Sequence, residues 1–192
     1  MHFRFCIALA LMFSFFSTTA VIAQDSADED APKILWSADQ GLQPGQFTGP
    51  VLNDSLSAFA HTGISFEANM PSRRQLNLSL VTTFTPSASY FQTSSDETMV
   101  LEREQIRFDL AEVFARRMRK LVQGEDLRKS KILDQLSEIL SEGMTDFIQR
   151  HNRFNEEVLE DPAQLPKWRS WVDAELNRLE AYAATDMELR LR

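Results

Sequence analysis

The hydrophobic period of this chain changes near residue 94 from that of a strand to that of a helix, and that change limits the folds open to it. Ile64, Phe66, Ala68 and Met70 alternate with Ser65, Glu67 and Asn69. Pro71-Ser72-Arg73-Arg74 interrupts, and Leu76, Leu78, Leu80, Thr82 and Phe84 resume the alternation. Successive side chains of a strand face opposite sides, so this pattern predicts an antiparallel hairpin with one buried face. Two strands alone are marginally stable. The ribbon must therefore pack on another part of the chain.

Beyond Ser94 the apolar residues recur at helical spacing. Ser94 and Glu97 have capping-box spacing, and Ile106, Leu110, Val113, Phe114, Leu121 and Val122 form a stripe that closes at Gly124. A second helix is predicted from about Asp126 to Glu160, with Leu133, Leu136, Ile139, Leu140, Met144, Phe147, His151, Phe154 and Val158 on one face. Gly143 within it either bends the helix or admits a close helix contact. Asp161-Pro162 ends it. A third helix is expected from near Pro166, with Trp168, Val172, Leu176, Leu179 and Ala183 aligned, fraying after Thr185. Short connections between three amphipathic helices predict an up-down-up bundle.

The expected fold is therefore α+β, a small antiparallel β-hairpin region packed on a C-terminal three-helix bundle. One domain is expected over residues 34–192, β-rich over 34–93 and helical over 94–192. Within the β-rich part, Ile34-Leu35-Trp36 reads as a short strand and Gly41 to Gly49 as a loop. The spacing of Leu52, Leu56, Phe59 and Ala60 favours a short helix over Pro50 to Ala60.

Residues 1–23 read as a secretory signal peptide. Arg4 supplies the basic start, Phe5 to Phe16 is almost continuously apolar, and Val21-Ile22-Ala23 suits a cut after Ala23. The apolar run is too short to span a bilayer comfortably. Residues 24–33, QDSADEDAPK, are acidic and lack large apolar side chains, so a disordered linker is expected. The one cysteine, Cys6, lies in the leader. The remainder thus has no means of forming disulfides, thiolate metal sites or a thiol nucleophile. A cysteine-free exported domain fits a bacterial periplasm or exterior better than a eukaryotic secretory route.

Twenty Lys and Arg face 28 Asp and Glu, a net charge of −8, and loss of Arg4 with the leader makes the remainder more acidic still. Such a balance argues against nucleic acid as partner. No P-loop, G-x-G-x-x-G or G-x-S-x-G spacing occurs, and no cofactor or metal is expected. Against this acidic background, Arg116, Arg117, Arg119 and Lys120 close the first helix and Arg128, Lys129 and Lys131 open the second. Only Glu125 and Asp126 oppose them. Cations suit a helix C-terminus but not the start of the next helix. The cluster is therefore a candidate anion-recognition tip. Trp171, out of register with the Trp168 stripe, is a candidate partner contact.

These features favour an exported, non-catalytic interaction protein of the bacterial envelope, an assembly, adaptor or chaperone-like factor. Its expected partner is another envelope protein or an anionic surface, with no transmembrane anchor. One alternative is a carrier of a small apolar ligand or lipid. A second is an enzyme in which His61 and His151 converge with dispersed carboxylates.

Overall fold

The structure is a computed structural model that describes residues 31–92 and 96–192. The signal peptide, most of the acidic linker and the Ser94 cap lie outside the described residues. The order of elements is β1 (Ile34–Leu35), β2 (Ala58–Phe59), β3 (Thr62–Ser72), β4 (Gln75–Phe84), β5 (Tyr90–Phe91), α1 (Glu97–Gly124), α2 (Ile132–Glu160), α3 (Leu165–Arg178) and β6 (Asp186–Arg190). The chain is α+β, with antiparallel sheets and a C-terminal three-helix region, as the change of period predicts.

Strand β4 is the spine of the main sheet. Its whole length pairs antiparallel with β3, from Thr62 opposite Phe84 to Asn69 opposite Asn77, with a bulge between Asn69 and Ser72. Its other edge is shared. Strand β1 takes the end at Thr83 and Phe84, and β6 takes Gln75 to Ser79. Leu76, Leu78 and Leu80 are buried against Ala115, Met118 and Val122 of α1, together with Leu136, Leu140, Met187 and Leu191. This is the β4 half of the buried face that the two-residue alternation predicts. Of the β3 half, Ile64 packs against the core while Phe66, Ala68 and Met70 are exposed, because β3 is the edge strand of the sheet.

Helix α1 begins at an Asp96 cap, whose carboxylate accepts from the Met99 N–H. It runs through the middle of the molecule, between the sheet and the other two helices. Met118 meets Gly143 and Phe114 meets Phe147, so α2 runs antiparallel to α1. Asp109 meets Arg169 and Arg116 meets Leu176, so α3 runs parallel to α1. That is the up-down-up order. Gly143 serves the close-contact role: a Cβ there would lie 2.3 Å from the Met118 Cγ, and α2 continues through it without interruption.

Three expectations are corrected. Residues 50–60 form no helix. Asn53 accepts from the Ser55 N–H as an Asx-type turn, and Ala58–Phe59 pairs with β5; the local side-chain bond and the β5 pairing outcompete a weak helical spacing. The second helix starts at Ile132, six residues later than Asp126, because Leu127 is buried in the core and Lys129–Lys131 forms a separate 3₁₀ turn. Finally, the third helix ends at Arg178, short of Thr185, with a separate 3₁₀ turn at Glu180–Tyr182, and the chain beyond Thr185 does not fray. Met187 and Leu191 are buried with Leu189 packed beside them, and β6 completes the sheet. The helical part thus returns a strand to the β-rich part.

Candidate functional site

The seven cations of the predicted tip fall into three environments. Arg116 and Arg119 are buried, and neither is on an exposed tip. Arg116 Nε donates to Glu112 Oε1 at 2.9 Å and its Nη1 to the Leu176 carbonyl at 2.9 Å. Its guanidinium also lies 5.1 Å from the Trp36 ring centroid. Arg119 is 0% exposed. Its Nη1 donates to Glu112 at 2.9 Å and to the Tyr182 carbonyl at 3.0 Å. Glu112 in turn accepts from the Thr82 hydroxyl at 2.8 Å. One turn earlier, Asp109 accepts from Trp36 Nε1, Gln105 and Arg169, each at 2.7 Å. Near the start of the helix, Glu104 takes the Ala60 N–H at 2.8 Å and pairs with Arg103 and Arg107. These groups staple α1 to the sheet and to α3. Their burial follows from the central position of α1, which leaves residues 104–119 almost no solvent face.

Arg117 and Trp171, picked from separate parts of the sequence, meet. The Arg117 guanidinium lies 4.7 Å from the Phe114 ring centroid and 5.6 Å from that of Trp171. Arg150 of α2 lies 4.8 Å from the same Trp171 ring and makes no ion pair among the described residues. Such cation–π contacts contribute about 0.5–2 kcal/mol each, more as they are desolvated. Arg117 also pairs with Glu175 at 2.5 Å. Hydrogen bonds from Arg178 and then Arg117 hold the Glu175 carboxyl down to about 2. Trp171 is thus half-buried and braced by cations from two other helices. Lys120, by contrast, is exposed and stands 5.9 Å from the Tyr182 ring centroid.

Arg128, Lys129 and Lys131 are all exposed, and the fold adds cations that sequence distance concealed. The Lys129 N–H donates to the Arg192 carbonyl at 3.0 Å, the Arg192 N–H to Leu127 O at 2.9 Å, and the Leu191 N–H to Arg74 O at 2.9 Å. These bonds stitch the α1–α2 connection, the β3–β4 turn and the segment after β6 into one end of the molecule. Arg74, Arg190 and Arg192 line an open cleft of about 740 Å³ there, with Gly124, Glu125, Asp126 and Leu191. Arg192 pairs with Asp126 at 3.0 Å. Arg74, Arg190 and Arg192 thus share the cleft with Glu125 and Asp126. Arg128, Lys129 and Lys131 are exposed at the same end, and Asp186 and Glu188 line an adjoining cleft with Arg190. Leu133, in the first turn of α2, is 68% exposed beside them. The signal missed in the sequence was the alternation of Met187, Leu189 and Leu191, which places Arg190 and Arg192 at this end.

The geometry also penalises α2. Lys131 is its N-cap and makes no side-chain cap bond. A capping side chain is typically worth ~1 kcal/mol, and a cation at the positive end of a helix costs about 0.3–1 kcal/mol more.

The two histidines have separate surroundings. His61 stands 6.5 Å from the Phe59 ring, its basicity lowered by partial burial and by Lys33. His151 packs 5.6 Å from Phe147 and 3.5 Å from the Asn155 amide. Burial first, and the Arg107 charge second, lower it to about 4. Among the described residues no group of three or more His, Asp and Glu side chains is arranged to hold a metal ion, and no helix is long and apolar enough to cross a membrane. Comparison with protein-family models, with curated proteins and with solved structures finds no match.

Proposed function

We propose that the chain is an exported, non-catalytic interaction protein of the bacterial envelope that binds an acidic macromolecular surface through its basic end. The observation that carries this reading is the stitching of Arg74, Arg128, Lys129, Lys131, Arg190 and Arg192 into one cleft-bearing end by the Leu191–Arg74 and Lys129–Arg192 backbone bonds. On a chain of net charge −8, such an end orients the molecule toward negative charge and turns the acidic remainder away. The uncapped, cation-led start of α2 supports the reading, because helix stability favours other residues there. Trp171, braced by Arg117 and Arg150, provides a second contact of the residue types that anchor protein interfaces.

The test uses immobilised polyaspartate and vesicles containing an anionic phospholipid, titrated with wild-type protein and with the combined Arg128→Glu, Lys129→Glu and Lys131→Glu variant. Salt-sensitive binding that the variant loses while keeping its circular dichroism supports the proposal. Binding to neither probe, or binding indifferent to the reversal, rejects it.

A further inference from the structure

A second surface is defined by backbone rather than by charge. In an antiparallel pair, directly opposed residues alternate between exchanging hydrogen bonds and directing them away from each other. The Thr85 N–H donates to the His61 carbonyl at 2.9 Å, and that pair lies in the β3–β4 register. Gly63, Ser65, Glu67 and Asn69 therefore bond β4, and Thr62, Ile64, Phe66 and Ala68 direct their N–H and C=O groups to the outer edge. The far side of β4 agrees: the Leu80 N–H bonds Thr185 O and Thr82 O accepts from the Trp36 N–H. No described strand pairs with the outer edge of β3.

Edge strands are usually blunted by charges, prolines, bulges or brevity. Here β3 is 11 residues long, and Pro71 and the bulge after Asn69 guard one end only. Glu67 is the single charge between Thr62 and Ser72. Phe66 faces the same side as its buried partner Leu80 yet remains 39% exposed, and Ala68 beside it is exposed.

We infer that this edge is a self-association site, at which β3 pairs antiparallel with β3 of a second copy about a two-fold axis through Phe66. The occupant must be an extended strand with apolar residues on the helix side and polar residues on the other. Strand β3 has that pattern itself, and a two-fold axis normal to the sheet keeps both apolar rows on one face. Glu67 helps set the register. Centring on Phe66 places Ile64 opposite Ala68, Phe66 opposite Phe66, and Glu67 opposite Ser65. Centring one residue later sets Glu67 against Glu67, at about 4.5–5.5 Å between Cβ atoms, which is repulsive. The pairing joins two four-stranded sheets into one and covers Phe66.

Sedimentation equilibrium over a concentration series tests this. Wild-type protein is expected to be in monomer–dimer equilibrium. Ala68→Pro removes an outward N–H without touching the β4 ladder, and Phe66→Lys places charge against charge across the axis; both are expected to stay monomeric with unchanged circular dichroism. In a Cys6→Ser background, Phe66→Cys is expected to cross-link as a dimer on mild oxidation and Glu67→Cys is not. A wild-type chain that stays monomeric to hundreds of micromolar overturns the inference and leaves the edge to a strand of another protein. A dimer that both Ala68→Pro and Phe66→Lys leave intact overturns it as well.

Discussion

The Arg119 guanidinium fills a gap in the sheet at the Leu80 carbonyl. Strands β1 and β6 cover opposite ends of the same β4 edge, and between them Leu80 O has no strand partner among the described residues. Arg119 Nε and Nη2 both donate to it, at 3.0 and 2.9 Å, and Nη1 binds Glu112 and the Tyr182 and Ala183 carbonyls. One buried cation thus satisfies the sheet and the turn after α3 and neutralises a buried carboxylate. Removing it leaves Glu112 paired with Arg116, but the buried Leu80 carbonyl loses both its donors, which costs about 1–3 kcal/mol, and the emptied side-chain volume adds to the loss. Arg119→Ala is expected to lose at least that much in urea unfolding, a large share of the usual stability of a domain. Arg119→Lys is expected to recover little of it, since an ammonium lacks the planar fork that reaches Leu80 O and Glu112 together.

At the start of α2 the expected sign reverses. Lys131→Asp supplies the missing cap and favourable charge at the positive end of the helix, so it is expected to stabilise by about 1 kcal/mol. The same change is expected to weaken binding to polyaspartate. Thermal unfolding and the binding titration together check the pair of outcomes; a stabilised protein with undiminished binding removes Lys131 from the contact surface.

His151 makes stability depend on pH in a defined direction. Its folded value of about 4 lies below the ordinary 6.5. The unfolded chain therefore takes up a proton that the folded chain refuses, and stability is lost as pH falls from 6.5 toward 4. Below that window the contribution levels off. The full effect is on the order of 3 kcal/mol. His151→Gln is expected to flatten the pH dependence of the urea midpoint over this range. An imidazole that titrates near 6.5 in an NMR experiment on the folded protein contradicts the assignment.

Gly143 sets how closely α1 and α2 approach. Gly143→Ala gains helix propensity of up to about 1 kcal/mol but drives a Cβ to 2.3 Å from the Met118 Cγ. Overpacking of this kind costs about 1–3 kcal/mol, so net destabilisation is expected. Met118→Ala in the Gly143→Ala background makes room for the new methyl. The double variant is therefore expected to lose less than the two single losses combined, as read from a double-mutant cycle of urea midpoints.

The sequence by itself determined which segments are strands and which are helices wherever one face is buried and the other is wet. The alternation of β4 from Leu76 to Phe84 and the α2 stripe through Phe147 and Phe154 required only local periodicity, because a half-buried element carries its environment in its spacing. Strand β3 alternates equally, yet Phe66, Ala68 and Met70 stay exposed at the sheet edge. The sequence also marked Gly143 and Trp171 as exceptions to their surroundings. Tertiary structure alone decided the fate of the charges. Arg116, Arg117 and Arg119 lie within four residues of one another, yet two join buried networks and one braces Trp171, because the sheet, α2 and α3 surround α1. Conversely, Arg74, Lys129 and Arg192 are far apart in sequence and become neighbours through three backbone hydrogen bonds. Burial of a cation depends on what packs around its helix and which carbonyls and carboxylates reach it. That information resides in contacts between distant segments, and no local spacing encodes it.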